Sequence, residues 1–188
     1  MKCLVVVDVQ NDFITGALGT EEARLMLPRL LKKVREFEGD IYLTQDTHTE
    51  EYLKTQEGRM LPVPHCIAGT DGWRFPAELE QLRQERKAKV YEKSCFGSTR
   101  LMADLKKIYD QKNLDSIEIV GLCTDICVVS NALMLKAAMP ELPIYVDADC
   151  CAGVSPEKHE AALSVMESCQ IIVKGGHRAQ SEPGSQNG

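Results

Sequence analysis

Short apolar segments rich in β-branched residues alternate with amphipathic helical segments along almost the whole chain, and this alternation constrains the fold most. The first segment, residues 3–8, is apolar up to its final aspartate, which is typical of a strand covered on both faces. Further strands are predicted at residues 40–45, 88–91, 116–121, 143–147 and 170–173, with helices at residues 21–38, 76–86, 98–111, 125–138 and 156–168. The order predicts a doubly wound, three-layer α/β/α sandwich around a parallel sheet of about six strands.

Length and composition are those of one globular domain. The chain has 188 residues, of which 44% are hydrophobic, and we expect a single domain over residues 1–174 and a flexible polar tail at residues 175–188. The net charge of −6 and the absence of long basic runs exclude a nucleic-acid-binding surface. The apolar start is too short for a signal peptide or a membrane span, so we expect a cytoplasmic protein whose eight cysteines are mostly reduced core thiols.

Residues that can carry chemistry follow the predicted strands. In an open parallel sheet, ligands bind outside the carboxyl ends of the strands. Asp8 ends the first strand, Asp46 and His48 follow the second, and Lys93 follows the third. Cys127 lies in the first turn of the helix after the fourth strand. We therefore expect one crevice to contain all of these side chains.

Cys127 is a candidate nucleophile. Thr124 is predicted to cap the following helix, which would leave Cys127 among the unpaired N–H groups of the first turn and lower the pKa of its thiol. Lys93 would lower this pKa further, and Asp8 could accept the thiol proton and return it to a leaving amine. N–H groups near Cys123 and Cys127 would be available to an oxyanion. By spacing alone, a core role for Cys127 is the stronger interpretation, and a zinc pair formed with Cys123 is the weaker one.

The longest connection, between the second strand and the second helix, contains a candidate metal site. Asp46, His48 and His65 supply one carboxylate and two imidazoles, and Glu57 lies between them as a fourth ligand. This set suits a divalent transition metal, although capping or surface roles explain the same residues equally well. Trp73, the single tryptophan, suits either core packing or a substrate-contacting wall, and we favour packing.

Three motifs resemble those of the isochorismatase-like cysteine hydrolases over residues 1 to about 173. They are VDVQNDF at residues 7–13, KSCF at residues 93–96 and GLCTDICV at residues 121–128. The resemblance implies that Asp8, Lys93 and Cys127 form a catalytic triad. It also implies a non-proline cis peptide near Leu122 and Cys123 that helps to shape an oxyanion hole.

Within that family, residues 46–48 and 64–70 are similar to the metal motif of nicotinamidases. The resemblance implies one divalent transition metal, zinc before iron or manganese, on Asp46, His48, Glu57 and His65. It also implies that Phe13 lies beside the substrate ring and that the enzyme is a homo-oligomer. The expected reaction is nicotinamide and water to nicotinate and ammonia through a cysteine thioester.

Two departures from the nicotinamidase pattern leave the substrate open. The stretch from Lys93 to Phe96 is shorter than in many nicotinamidases, and Pro62 replaces a tryptophan that some of them place against the pyridine ring. A related hydrolase acting on another small amide or ureide is the alternative. A non-catalytic nucleotide-binding module is disfavoured, because the first strand is followed by Asp8-Val-Gln-Asn-Asp12 without the glycines that admit a pyrophosphate.

Overall fold

Six parallel strands form one sheet in the computed structural model, which describes residues 1–176. The strands are β1 (Lys2–Val7), β2 (Asp40–Asp46), β3 (Lys89–Lys93), β4 (Ser116–Leu122), β5 (Ile144–Ala152) and β6 (Ile172–Lys174). Their spatial order is β3-β2-β1-β4-β5-β6, and every neighbouring pair is parallel. This confirms the doubly wound fold predicted from the sequence. Most of the expected tail, residues 177–188, lies outside the described residues.

Helices cover both faces of the sheet. They are α1 (Asn11–Ile14), α2 (Glu21–Glu36), α3 (Gln56–Met60), α4 (Ala77–Glu85), α5 (Thr99–Asp110), α6 (Val129–Ala138) and α7 (Pro156–Ser168). Leu4 and Val6 of β1 pack in the core shared with α2 and α4, whereas Val5 and Val7 pack in the core shared with α5, α6 and α7. Each such buried aliphatic side chain stabilises the fold by about 1.5–3 kcal/mol. Among the described residues, no helix has both the length and the apolar character needed to cross a membrane.

The structure differs from the sequence prediction in the segments near the carboxyl ends of the strands. The predicted helix at residues 125–138 is divided into a π-helical turn, Thr124–Val128, hereafter the π turn, and α6. The strand predicted at residues 143–147 continues to Ala152 as β5. The connection between β2 and α4, predicted to be irregular, contains a short 3₁₀ helix, Tyr52–Lys54, and α3. These short elements have no sustained hydrophobic period, so pattern reasoning does not detect them.

The strand order reverses between β1 and β4, and this position is where an open α/β sheet forms its ligand crevice. Gly121 of β4 pairs with Val7 of β1 and has φ +122°. A Cβ atom at Gly121 would lie 2.2 Å from the carbonyl oxygen of Val7. The absence of a side chain therefore allows the two central strands to meet at the edge that carries Asp8 and the π turn.

Candidate active site

Asp8, Lys93 and Cys127 come together at the carboxyl edge of the sheet. Asp8 directly follows β1, Lys93 ends β3, and Cys127 lies in the π turn after β4. The Nζ atom of Lys93 is 2.6 Å from Oδ2 of Asp8 and 3.6 Å from Sγ of Cys127. All three residues are buried, with 0%, 7% and 5% of their surface exposed. The structure thus brings the three predicted residues into one contact group through three separate strand ends.

Burial dominates the protonation chemistry of Asp8 and Cys127. It raises the pKa of the Asp8 carboxyl, against the opposing charge of Lys93 and a hydrogen bond of 2.6 Å donated by the Thr44 hydroxyl. Burial, together with the charge of Asp8, raises the pKa of the Cys127 thiol well above its ordinary value, although Lys93 lowers it. The expectation of a lowered thiol pKa was therefore wrong, because desolvation exceeds the effect of one cation. Burial therefore favours the protonated form of both groups, and Asp8 lies within hydrogen-bonding reach of the thiol with which it would exchange a proton.

Lys93 also contacts the second predicted cluster. Its Nζ atom lies 3.3 Å from Oδ1 of Asp46. Burial lowers the pKa of Lys93, but the charges of Asp8, Cys127 and Asp46 raise it more, so the ammonium stays charged. One buried cation therefore joins the cysteine group to the carboxylate of the candidate metal site.

Asp46, His48, Glu57 and His65 form the second cluster, and one potential ligand atom from each lies within 4.8 Å of the others. Oδ2 of Asp46 is 3.0 Å from Nε2 of His48 and 3.5 Å from Nε2 of His65. Oε1 of Glu57 is 3.6 Å from Nε2 of His48 and 3.8 Å from Nε2 of His65. Burial raises the pKa of Asp46, but the hydrogen bonds to both imidazoles and the charge of Lys93 hold it well below its usual range. The structure therefore joins all four residues across the β2–α4 connection.

The donor chemistry of this cluster fits a divalent transition metal. Nδ1 of His65 is 2.9 Å from the carbonyl oxygen of Val63, so a proton on Nδ1 leaves the Nε2 lone pair facing the cluster. Two imidazoles with two carboxylates favour zinc, iron or manganese over calcium or magnesium. The rings of Tyr52 and Phe13 pack on the histidines, with centroids 5.0 and 5.5 Å from that of His65.

Polar side chains that follow β1 hold the β2–α4 connection in place. The buried Gln10 donates to the carbonyl oxygens of Asp46 and Trp73, both at 2.8 Å, and accepts from the N–H of Asp46 at 2.7 Å. Asp12 accepts from the N–H of Cys66 at 2.7 Å. Trp73 is half-buried and packs against the core beside α2 and α4, as we expected. The segment after β1 therefore fixes both ends and the middle of the connection that carries the metal-site residues.

The π turn begins directly after the peptide bond between Leu122 and Cys123, which is cis and buried. The turn is preceded by Cys123 as its N-cap residue, and no side chain caps it. The hydroxyl of Thr124 lies instead 2.8 Å from Nδ1 of His159. The prediction that Thr124 caps this helix was wrong, because Cys123 occupies the N-cap position and the Thr124 hydroxyl contacts α7.

A cavity of about 900 Å³ opens between the π turn, the segment after β3 and the β2–α4 connection. Its wall includes His48 and Glu57 of the second cluster, and Ile126 beside Cys127. Apolar side chains contribute much of the rest, namely Tyr52, Met60, Leu61 and Phe96. Among the described residues, no lysine or arginine lines it and Phe13 is not part of its wall. The cavity therefore suits a neutral ligand better than an anionic one.

Sequence reasoning missed the residues that act between the two clusters. Thr44, Gln10 and Asp12 all hydrogen-bond within the site, and His159 contacts the π turn. A glutamine or threonine within a buried strand, or just after it, could have indicated a site residue, because buried polar groups require hydrogen-bond partners. His159 has no comparable signal, because its position on a helix of mixed polarity reveals nothing of the turn it contacts.

The isochorismatase domain family matches residues 2–175, almost the whole described chain. The protein therefore belongs to the isochorismatase family. A Bacillus subtilis relative described as an uncharacterized isochorismatase family protein, PncA, is 32% identical over 176 residues, covering 87% of this chain and 92% of that protein. The nicotinamidase/pyrazinamidase of Mycobacterium tuberculosis is 28% identical over 185 residues, covering 91% of this chain and 97% of that protein.

Solved structures agree with the fold. The crystal structure of the nicotinamidase/pyrazinamidase PncA from Bacillus subtilis has a TM-score of 0.81 at 27% identity, covering 93% of this chain and 99% of that one. The pyrazinamidase of Pyrococcus horikoshii in complex with zinc has a TM-score of 0.74 at 28% identity, with 93% and 99% covered. One of these two similar structures is thus a zinc complex.

Proposed function

We propose that this protein is a nicotinamidase-type amidohydrolase, which converts nicotinamide and water to nicotinate and ammonia. The observation that carries the proposal is the contact of one buried lysine with both clusters. Lys93 lies within 3.6 Å of the sulfur of Cys127 and within 3.3 Å of a carboxylate oxygen of Asp46. This arrangement suits a substrate with a carboxamide at one end and a ring nitrogen at the other. The carboxamide would meet the nucleophile, and the ring nitrogen would face the metal-ligating residues. The nicotinamidase and pyrazinamidase relatives support the same substrate class.

The first half-reaction makes a thioester. Asp8 accepts the thiol proton of Cys127 as the sulfur attacks the carboxamide carbon, and the carbonyl electron pair moves to oxygen. Backbone N–H groups of Cys123 and Cys127 bind this oxyanion. The C–N bond then breaks as Asp8 returns the proton to nitrogen, and ammonia leaves. Lys93 stays charged throughout and offsets the negative charge shared by Asp8 and the sulfur.

The second half-reaction releases the acid. Asp8 accepts a proton from water as the water oxygen attacks the thioester carbon, and the C–S bond breaks. The proton then passes from Asp8 to the sulfur of Cys127, which restores the resting thiol. Because the pKa values of both groups are raised by burial, each can hold this single proton in turn.

Asp46, His48, Glu57 and His65 would hold one divalent transition metal, with zinc as the first choice. Such an ion, when bound, supplies a Lewis acid that orients a ring nitrogen or a water molecule. The zinc complex of the Pyrococcus horikoshii pyrazinamidase supports this choice. Phe13 packs on His65 and would keep that imidazole aligned from the core side.

The cavity favours neutral amides over anionic ones, because the side chains of Glu57 and Asp125 line it and no lysine or arginine is among its described lining residues. The test is ammonia release from a panel of nicotinamide, pyrazinamide, small ureides and, as the anionic control, an amide that also carries a carboxylate. We expect the two pyridine- or pyrazine-carboxamides to be hydrolysed fastest. Faster turnover of a ureide would replace nicotinamide as the substrate, and the absence of ammonia from every amide would overturn the proposed function.

A further inference from the structure

The π turn is held from outside by α7 and by the connection before it. Thr124 is fully buried, and its Oγ1 atom forms a 2.8 Å hydrogen bond with Nδ1 of His159 on α7. The N–H of Val154 donates to Oδ1 of Asp125 at 3.0 Å. The turn that carries Cys127 is therefore attached to α7 and to the segment before α7, as well as to β4.

The bond to His159 gives the Thr124 hydroxyl a partner other than the π turn itself. At the starts of α2, α5 and α7, the hydroxyls of Thr20, Ser98 and Ser155 accept from the backbone N–H three residues later. No side chain makes such a bond at the start of the π turn. Thr20, Ser98 and Ser155 precede their helices as N-cap residues, whereas Thr124 is the first residue inside the π turn and Cys123 is its N-cap residue. The N–H groups of Ile126 and Val128 donate to the carbonyl oxygen of Cys123, and the Thr124 hydroxyl bonds α7 instead of a backbone N–H group of the turn.

We propose that His159 is a positioning residue for amide hydrolysis. Through Thr124 it fixes the orientation of the π turn and keeps the N–H donors around Cys127 directed at the oxyanion of the tetrahedral intermediate. His159 does not touch the substrate in this role. The inference rests on the proposed function, since the oxyanion forms only when the π turn supplies the nucleophile.

The expected loss of kcat follows from the contribution of the oxyanion-hole N–H donors to catalysis. Removal of one oxyanion-hole donor lowers kcat by about 10²–10³, and a misplacement of about 1 Å costs about a hundredfold. Loss of the His159 bond leaves every donor in the chain but loosens its position. We therefore expect kcat to fall by about ten- to a hundredfold, while KM changes by less than about twofold.

The test compares His159→Phe, which keeps a ring without the hydrogen bond, with Thr124→Val, which keeps the shape of threonine without its hydroxyl. Each should lower kcat by the same factor, and the double variant should be no worse than either single variant. His159→Asn places a donor and an acceptor near the position of Nδ1, so it should restore most of kcat. Leu142→Ala, in the core just before β5 at the opposite edge of the sheet, controls for lost stability and should leave kcat unchanged.

A second readout follows the oxyanion without turnover. Cys127 adds to the carbonyl of pyridine-3-carbaldehyde, forming a C–S bond while the carbonyl electron pair moves to oxygen and the thiol proton passes to Asp8. Affinity for this aldehyde should fall in parallel with kcat in His159→Phe, whereas affinity for nicotinate should not change. Wild-type kcat in His159→Phe or Thr124→Val, additive losses in the double variant, or an equal loss in Leu142→Ala would overturn the positioning role. A wild-type protein that releases no ammonia from any amide would instead overturn the proposed function.

Discussion

Lys93 sets the electrostatic balance of the site at the scale of single residues. It lies against the carboxylates of Asp8 and Asp46 and against the sulfur of Cys127, all of them buried. Asp8 raises the pKa of the Cys127 thiol, whereas Lys93 lowers it. Removal of either charge should therefore move the thiol pKa, and the two substitutions should move it in opposite directions.

This balance is tested by alkylation of Cys127 with iodoacetamide as a function of pH, with the modified residue identified by mass spectrometry. Asp8→Asn should lower the pH at which alkylation becomes fast, and Lys93→Ala should raise it. Both variants should lose amide hydrolysis by several orders of magnitude, because the proton carrier or its counterion is gone. Lys89→Ala, which removes an exposed lysine of the same strand, is the control and should match the wild type. An unchanged alkylation profile in all variants would refute this electrostatic account.

The β2–α4 connection is the element on which the metal site depends. Its ligand residues are separated along the chain, and Gln10 fixes the backbone of Asp46 from the segment after β1. A partner behind a metal ligand typically contributes about 10–100-fold in metal affinity. Metal affinity should therefore depend on how this connection is held in place, in addition to depending on the ligand residues themselves.

We expect His48→Asn and His65→Asn to lose the metal, and Gln10→Ala to bind zinc about tenfold more weakly while every ligand remains. Gln45→Ala is the matched control, because Gln45 donates to the carbonyl of Trp73, as Gln10 does, without an observed bond to Asp46. Metal content after purification without chelator and zinc titration of the metal-free protein provide the measurement. Equal zinc affinity in Gln10→Ala and the wild type would argue against this role for Gln10.

At this scale the sequence predicted the regular elements and missed the irregular ones. Strands such as β1 and helices such as α2 have strong periods of their own, so their positions follow from local patterning. The π turn and α3 are shaped by long-range contacts, such as that between Thr124 and α7, which a single sequence does not display. The same limit explains the thiol pKa of Cys127, because the degree of burial is a property of the packed molecule and not of the neighbouring residues.

At the scale of the whole molecule, the close pairing of β1 and β4 at Gly121 contributes to the free energy of unfolding and to the shape of the crevice. Gly121→Ala should lower the free energy of unfolding by well over about 1 kcal/mol, because its φ is +122° and the new Cβ would meet the Val7 carbonyl. Gly69→Ala is the control, since its φ is +83° but no atom lies within 4 Å of the added Cβ. Urea unfolding, with the same m-value for both variants, measures their free energies of unfolding. A Gly121→Ala variant no less stable than Gly69→Ala would show that close approach of the two strands is unimportant.

We expect Cys127 alone among the cysteines to carry out amide hydrolysis in this crevice. Ammonia release from nicotinamide by Cys127→Ala and by Cys95→Ala tests it most directly, because Cys95 is an exposed free thiol in the cavity wall, whereas Cys127 is buried next to the wall residue Ile126. We expect Cys127→Ala to fold and bind metal but to release no ammonia above background, while Cys95→Ala keeps the rate of the wild type. Full activity in Cys127→Ala, or loss of activity only in Cys95→Ala, would show that Cys127 is not the nucleophile.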